Sequence, residues 1–304
     1  RNNNRCYFWS CTYTMIKDYV TKIKANISIY SNKKTSNLLD GSYKSIYKGR
    51  SMNFEDLREY IIGDNVKDID WKASARSNHI LVRQFVAEKK HNIMIVLDTG
   101  KKMLADTKKN EEKKEVALMS AGTIAYLANK NGDYVGSVYN SNNIVYHQLK
   151  MGLYNIEKIL NEYNADVEKA DNSNLEKSLD YIVKHIKKRL IIFVITDIDG
   201  IENVSKNTLE QLTYMNDVMF INVNDADITG SKGFNIDSNK YIPELIFKDK
   251  KLQEYELKMK KQMYENAERK LKKYGISMVS IESNSEVPLK IINLLERHRN
   301  ANIR

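Results

Sequence analysis

Two aspartates stand where strongly apolar runs stop. Ile93 to Leu97 leads into Asp98, and Leu190 to Ile195, the most apolar run of the chain, leads into Thr196 and Asp197. Carboxylates are hard oxygen donors, so two of them brought to one place could share a divalent cation. The same placement also suits two loop aspartates that cap the helices after them. Other chemistry-bearing residues are scattered. His79, His91, His147, His185 and His298 have no metal-ligand spacing. Cys6 and Cys11 lie far from the apolar runs, which argues against a disulfide scaffold and fits a reducing cytoplasm. A Gly-x-x-x-x-Gly-Lys-Ser/Thr loop, a Gly-x-Ser-x-Gly elbow and a His-Glu-x-x-His pair are all missing. A hydrolase working through Asp98 and Asp197 would have no further catalytic residue to name. The chain is therefore expected not to be an enzyme and to need no cofactor.

Positioning such a pair takes buried strands alternating with helices. Ile93 to Leu97, Leu190 to Ile195, Val218 to Val223 and Ile276 to Ile281 read as strands. Lys113 to Lys130, Tyr154 to Tyr163, Leu175 to Ile186, Ser205 to Met215, Asp249 to Tyr274 and Val287 to Arg297 read as helices, with Gly275 capping the fifth. Asp133 to Tyr139 and Ile144 to Leu149 read as a hairpin across Asn140 to Asn143. This alternation predicts an α/β fold, a largely parallel sheet covered by helices on both faces. In such sheets ligand groups gather at the carboxyl ends of the strands, where Asp98 and Asp197 lie. On the long helix, Leu252, Tyr255, Met259, Met263, Ala267, Leu271 and Tyr274 form one stripe, predicting a core-facing helix with a solvated basic side.

The chain has 304 residues, 42% hydrophobic and 29% charged, enough for a substantial core under a polar surface. No apolar run approaches the roughly 18 residues of a membrane span, so none is expected. A net charge of +10 and a pI near 9.2 permit nucleic acid, an anionic membrane surface or an acidic partner. The lysines are spread along the chain without a nucleic-acid-binding motif, so nucleic acid is not favoured. Residues 1–14 are polar and irregular. Met15 opens an amphipathic helix and is expected to be the natural start, with the residues before it extra. Asp40-Gly41-Ser42 reads as a turn.

Between Gly49 and Arg76 the chain is dense in charge and aromatics. Asn53 to Tyr60 predicts a short helix, Gly63-Asp64-Asn65 a turn, Asp68 to Arg76 a half-buried strand, and Ile80 to Val86 a second strand. Arg58, Glu59, Asp64, Asp70 and Arg76 form either a charge network tying this segment to the sheet or an exposed docking face. The structural version is preferred, with Trp71 as a packed anchor.

Gly49-Arg50, Phe54, Arg58-Glu59-Tyr60, Gly63-Asp64, Asp70-Trp71, Ala75-Arg76 and Val82-Arg83 together resemble the signature of the bacterial family called domain of unknown function 58. There the signature precedes a von Willebrand factor A-like domain. The resemblance runs from about Gly41 to the C-terminus and is closest to the family's short, soluble form. It implies residues 1–40 as tail and helix, 41–90 as signature segment and 91–304 as a von Willebrand A-like domain, a mostly parallel sheet with one antiparallel edge strand. Family genes commonly neighbour those of MoxR-type AAA+ ATPases. The implied role is an adaptor acting with such an ATPase, and with an unknown client, in protein assembly or maturation. The location implied is cytoplasmic, with any membrane association made through partners.

Many von Willebrand A domains carry a metal-ion-dependent adhesion site built from Asp-x-Ser-x-Ser, a later Thr and a later Asp. By this resemblance Asp98 and Asp197 match the aspartates and Ser173 stands for the threonine. Gly100 and Lys102 replace the two serines. Two oxygen ligands are thus gone, and lysine brings donors and no acceptor. A degenerate, metal-free site is expected, with the Lys102 or Lys101 ammonium between Asp98 and Asp197, or with both lysines pointing to water. The alternative reading of the whole chain is a basic binding module for nucleic acid or an anionic membrane surface.

Overall fold

A computed structural model describes residues 19–28, 33–48, 56–64, 66, 69–84, 90–169, 175–229, 234–235, 240–241 and 249–302. Met15 and Ser173 lie outside the described residues. The chain opens with helical residues 19–28 (α1) and helix α2 (Lys33–Lys48), then β1 (Asp56–Glu59), α3 (Trp71–Ser77) and β2 (Leu81–Gln84). There follow β3 (Asn92–Leu97), α4 (Lys113–Lys130), β4 (Tyr134–Asn140), β5 (Ile144–Lys150), α5 (Leu153–Val167) and α6 (Leu175–His185). Next come β6 (Ile191–Thr196), α7 (Ile198–Asn203), α8 (Lys206–Met215) and β7 (Asp217–Val223). The short pair β8 (Phe234–Asn235) and β9 (Lys240–Tyr241), α9 (Lys250–Lys272), β10 (Ser277–Ile281) and α10 (Val287–Asn302) complete the order.

The main sheet has the strand order β10-β7-β6-β3-β4-β5. All its pairings are parallel except β4 with β5, which places one antiparallel strand at an edge. This is the von Willebrand A-like architecture that the resemblance implied. The apolar runs are continuous because both faces are covered. Ile93, Ile95 and Leu97 join the core under α1, α2, α4, α5 and α10, while Met94 and Val96 join the core under α6, α8 and the C-terminal part of α9. Register sets the strand ends. Leu97 lies opposite Ile195, and the Asp98 N–H donates to the Ile195 carbonyl, so Asp98 lies beside Thr196 and Asp197 follows one residue further along the adjacent strand. Among the described residues no helix is long and apolar enough to cross a membrane.

Several local expectations are corrected. Residues 56–59 are a strand, not a helix, because they pair antiparallel with Leu81–Gln84; Asn53 lies outside the described residues. Asp68 lies outside the described residues, and residues 69–76 do not form the strand expected over Asp68 to Arg76. The Asp70 side chain accepts from the Lys72 and Ala73 N–H groups and starts α3, and a few alternating residues containing Ala, Lys and Arg fit a helical turn equally well. Asp40-Gly41-Ser42 is not a turn but lies inside α2, where buried Leu39 and Tyr43 dock on the core and outweigh the glycine. The α9 stripe is core-facing only towards its C-terminal end. Ala267 and Leu271 are buried, whereas Leu252, Tyr255 and Met259 are exposed.

The N-terminal helices belong to the main core. Ile23 on α1 is 1% exposed, and its Cδ1 fills the space left by Gly122 of α4, where a Cβ would lie 2.1 Å from it. Tyr43 donates to buried Asp133 at 2.8 Å. Ile23→Ala is expected to destabilise the protein by roughly 2–4 kcal/mol in denaturant titration. A loss well below 1 kcal/mol would show that α1 contributes little to the core.

Candidate functional site

Asp98 and Asp197 emerge from β3 and β6 almost fully buried. After Asp98 the chain passes through Thr99 to Gly100, whose φ of 97° and ψ of 172° suit glycine alone. That reversal starts a 3₁₀ turn at Lys101 and brings Lys102 back over the strand end. The Lys102 ammonium lies 2.6 Å from Asp98 Oδ2 and 2.9 Å from Asp197 Oδ1. Lys101 is exposed.

Every carboxylate oxygen here has a partner. Asp98 Oδ1 accepts from the Thr99 N–H at 2.9 Å, and Asp98 Oδ2 also accepts from Thr196 Oγ1. Asp197 Oδ1 accepts from the Gly200 N–H at 2.8 Å, so Asp197 caps α7 while pairing with lysine. Its Oδ2 accepts from Lys113 Nζ at 3.0 Å. Lys113 begins α4, has no exposed side-chain surface, and also pairs with Asp225 after β7. Lys113 was not singled out in the sequence, where it reads as one more lysine in a first helical turn. A fully apolar surrounding cannot hold an ammonium without counter-ions, and Asp197 and Asp225 supply them.

Space around the cluster is closed as tightly as its charge. A Cβ at Gly200 would fall 1.9 Å from Thr196 Oγ1 and 2.8 Å from Asp98 Oδ2. The far end of α7 is held too, since Lys270 of α9 donates to the carbonyls of Ile201, Glu202 and Val204 at 2.7–3.0 Å. Tyr163 of α5 donates to the Asp98 carbonyl at 2.6 Å.

Burial alone would raise the Asp197 carboxyl, but the nearby Lys113 and Lys102 ammonium groups override it and hold the group down to about 2. Burial would lower Lys102, and Asp98 and Asp197 together raise it instead. Both shifts keep Lys102 and Asp197 charged over the whole neutral range.

The signature residues lie apart from this cluster. Arg58 and Asp64 form a bidentate pair at 2.7 Å for both contacts, and Asp64 also accepts from the Ile61 N–H. The pair is local to the β1 end and its turn, where Gly63 has a φ of 112°. The Tyr60 N–H donates to the Ile80 carbonyl, and Glu59 meets His79 at 3.4 Å on the surface. Asp70 caps α3, and Arg76 is exposed. Trp71 is 65% exposed, which corrects the expectation of a packed anchor: among the described residues nothing buries it where it opens α3. These residues therefore do not form one buried network.

A third arrangement has the order of a hydrolytic triad. Ser137 Oγ lies 2.8 Å from His147 Nδ1, and His147 Nε2 lies 2.7 Å from Glu162 Oε2. Ser137 is completely buried, so its hydroxyl reaches no substrate. The chain of bonds ties edge strand β5 to β4 and α5. Among the described residues no three His, Cys, Asp or Glu side chains are placed to share a metal ion.

Two measurements test this description. Gly200→Ala would gain about 1 kcal/mol of helix propensity, but the contact it creates costs roughly 1–3 kcal/mol or more. Net destabilisation is expected in chemical unfolding, and a variant as stable as the parent would contradict the close packing. Asp197, lowered from 3.8 to about 2, adds stability that is present above pH 4 and lost as pH falls through 2, amounting to about 2 kcal/mol. The stability gap between the parent and Asp197→Asn should thus be flat from pH 5 to neutrality and shrink by that amount in acid. A gap independent of pH down to 2 would show that Asp197 is not held ionised by the lysines.

A family model described as "Protein of unknown function DUF58" matches residues 56–228. An uncharacterized protein of Mycobacterium tuberculosis and its counterpart from Mycobacterium bovis are 28% identical to the chain over 105 residues, covering 34% of this chain and 33% of theirs. The match thus spans about a third of the length of these relatives. Among solved structures, an aerotolerance-related membrane protein from Bacteroides fragilis covers 68% of this chain and 99% of its own, at 13% identity and a TM-score of 0.45. BatB from Bacteroides thetaiotaomicron covers 69% and 99%, at 15% identity and a TM-score of 0.45. A von Willebrand factor type A protein from Catenulispora acidiphila covers 72% and 44%, at 8% identity and a TM-score of 0.36. With more than half of its residues matched by the family model, the chain belongs to the family described as protein of unknown function DUF58.

Proposed function

We propose that this chain is a non-enzymatic protein-interaction module whose docking surface is the strand-end cluster, a degenerate adhesion site in which Lys102 takes the place of a divalent cation. The observation that carries this reading is the Lys102 ammonium held between Asp98 and Asp197. An ammonium has three N–H donors, and two are taken by these carboxylates. In this reading the third donor is left for a partner, and the Lys102 side chain keeps 29% of its surface exposed. It is a rigid cationic donor on a rigid sheet, and among the described residues Thr99 and Thr196 beside it are buried. Such a group can orient a partner's oxygen atom but cannot by itself break a bond.

The partner in this reading is a MoxR-type AAA+ ATPase acting on a further client protein, with the module in the cytoplasm. Family membership supports that assignment, because the gene neighbourhood of the family points the same way. Nucleic acid has less support, since three carboxylates and two ammonium groups leave the cluster itself with net negative charge.

The test is native co-purification of the tagged protein with and without ATP, combined with magnesium calorimetry. An AAA+ ATPase should come down with the parent, and Lys102→Ala should weaken its recovery when both are compared at a temperature where circular dichroism shows the variant still folded. Calorimetry should give no micromolar magnesium binding. Recovery of nucleic acid or lipid alone, or micromolar magnesium affinity that disappears in Asp98→Ala, would overturn the reading.

A further inference from the structure

Beside the cluster a cleft of about 610 Å³ opens between α7, the loop after β7, α9 and β10. Ile198, Ile228, Leu257 and Tyr264 contribute apolar wall, and Ile228 and Leu257 keep 55% and 54% of their surface exposed. Apolar surface left open in a concave site is a feature of binding clefts.

The charges on the two sides of this cleft are balanced differently. Lys108 and Lys260 both pair with Asp227, and Lys260 pairs with Glu256 as well. Those cations are committed to the loop they hold. Arg297 pairs with Glu268. Lys261 and Lys290 also line the cleft. On the side next to the strand ends stand Asp199 and Asp225. Asp225 shares Lys113 with Asp197. Asp199 has no ion pair and no side-chain hydrogen bond among the described residues. It is exposed.

We propose that this end of the cleft takes the basic side chain, arginine or lysine, of an apolar segment presented by a partner protein, with its charged head at Asp199 and Asp225 and its aliphatic stem along Ile198 and Ile228. The stem length of arginine or lysine suits such a site, because both cover apolar surface with methylenes while the head reaches a carboxylate. A carboxylate without a counter-ion, next to two others, gains more from an incoming cation than one already paired. Burial first, and then the negative charge of Asp197 and Asp225, already raise the Asp199 carboxyl, consistent with a missing cation. An acidic segment would meet repulsion at this end and could be held only at Lys261 and Lys290.

This inference rests on the interaction-module reading, but its test does not use the ATPase. The isotopically labelled protein is titrated with two blocked dipeptides, acetyl-Leu-Arg-amide and acetyl-Leu-Glu-amide, and read by amide chemical shifts. Saturable shifts at Ile198, Asp199, Asp225 and Ile228 are expected with the arginine peptide. Its affinity should fall about two- to fivefold in Asp199→Asn, a change of one exposed carboxylate interaction, while the remaining spectrum stays in place. Equal binding of the two peptides, binding unaffected by Asp199→Asn, or no shift in the cleft would each overturn the proposal. Preferential binding of the glutamate peptide, lost in Lys290→Ala, would reverse its polarity and also overturn it. A failed ATPase co-purification with successful peptide binding would remove the partner assignment and leave this site standing.

Discussion

The strand-end architecture depends on solving one electrostatic problem: two carboxylates side by side at the buried end of a parallel sheet. Adjacent parallel strands bring Asp98 and Asp197 together one residue apart in register, and neither is exposed. Two like charges in a poorly solvated place repel strongly unless cations stand between them. Lys102 stands between, and Lys113 holds the outer oxygen of Asp197. Much else in the region serves that arrangement. Gly100 reverses the chain so that Lys102 can return, Gly200 leaves room for it, and the short helix α7 begins on the same carboxylate. Such a cluster is not evidence of unusual stability, because desolvation cancels most of the attraction. What it fixes is geometry.

Much of this was legible in the sequence. The sheet was readable because its strands are covered on both faces, so their apolar runs are unbroken, and the hairpin at its edge was readable from two short strand segments with a polar turn between them. Asp98 and Asp197 were readable because each ends such a run. Lys113 was not. Its burial depends on Asp197 and Asp225, which lie 84 and 112 residues further on, and nothing local distinguishes it from a solvated lysine. Asp225 and Gly200 escaped for the same reason, since their roles exist only across elements.

The signature segment was the least legible part. Asn53 to Tyr60 and Asp68 to Arg76 are too short for their patterns to separate strand from helix, and both were decided by pairing and capping. Trp71 shows the limit of size as a guide to burial. A large aromatic beside charges fits a domain seam, yet here it stays open to solvent with Ile61, Ile62 and Val66, all more than half exposed. Identity alone could not tell a seam from an open surface.

The Lys102 ammonium is joined to the chain by its own side chain. A free ion at such a position would exchange with its surroundings, and its occupancy would follow the composition of the medium. A tethered cation has no dissociation constant of that kind. Its local concentration is set by four methylenes and one glycine turn, its translational freedom was given up at folding, and no chelator can withdraw it. The charge that Lys102 places at this surface is therefore a constant of the folded chain.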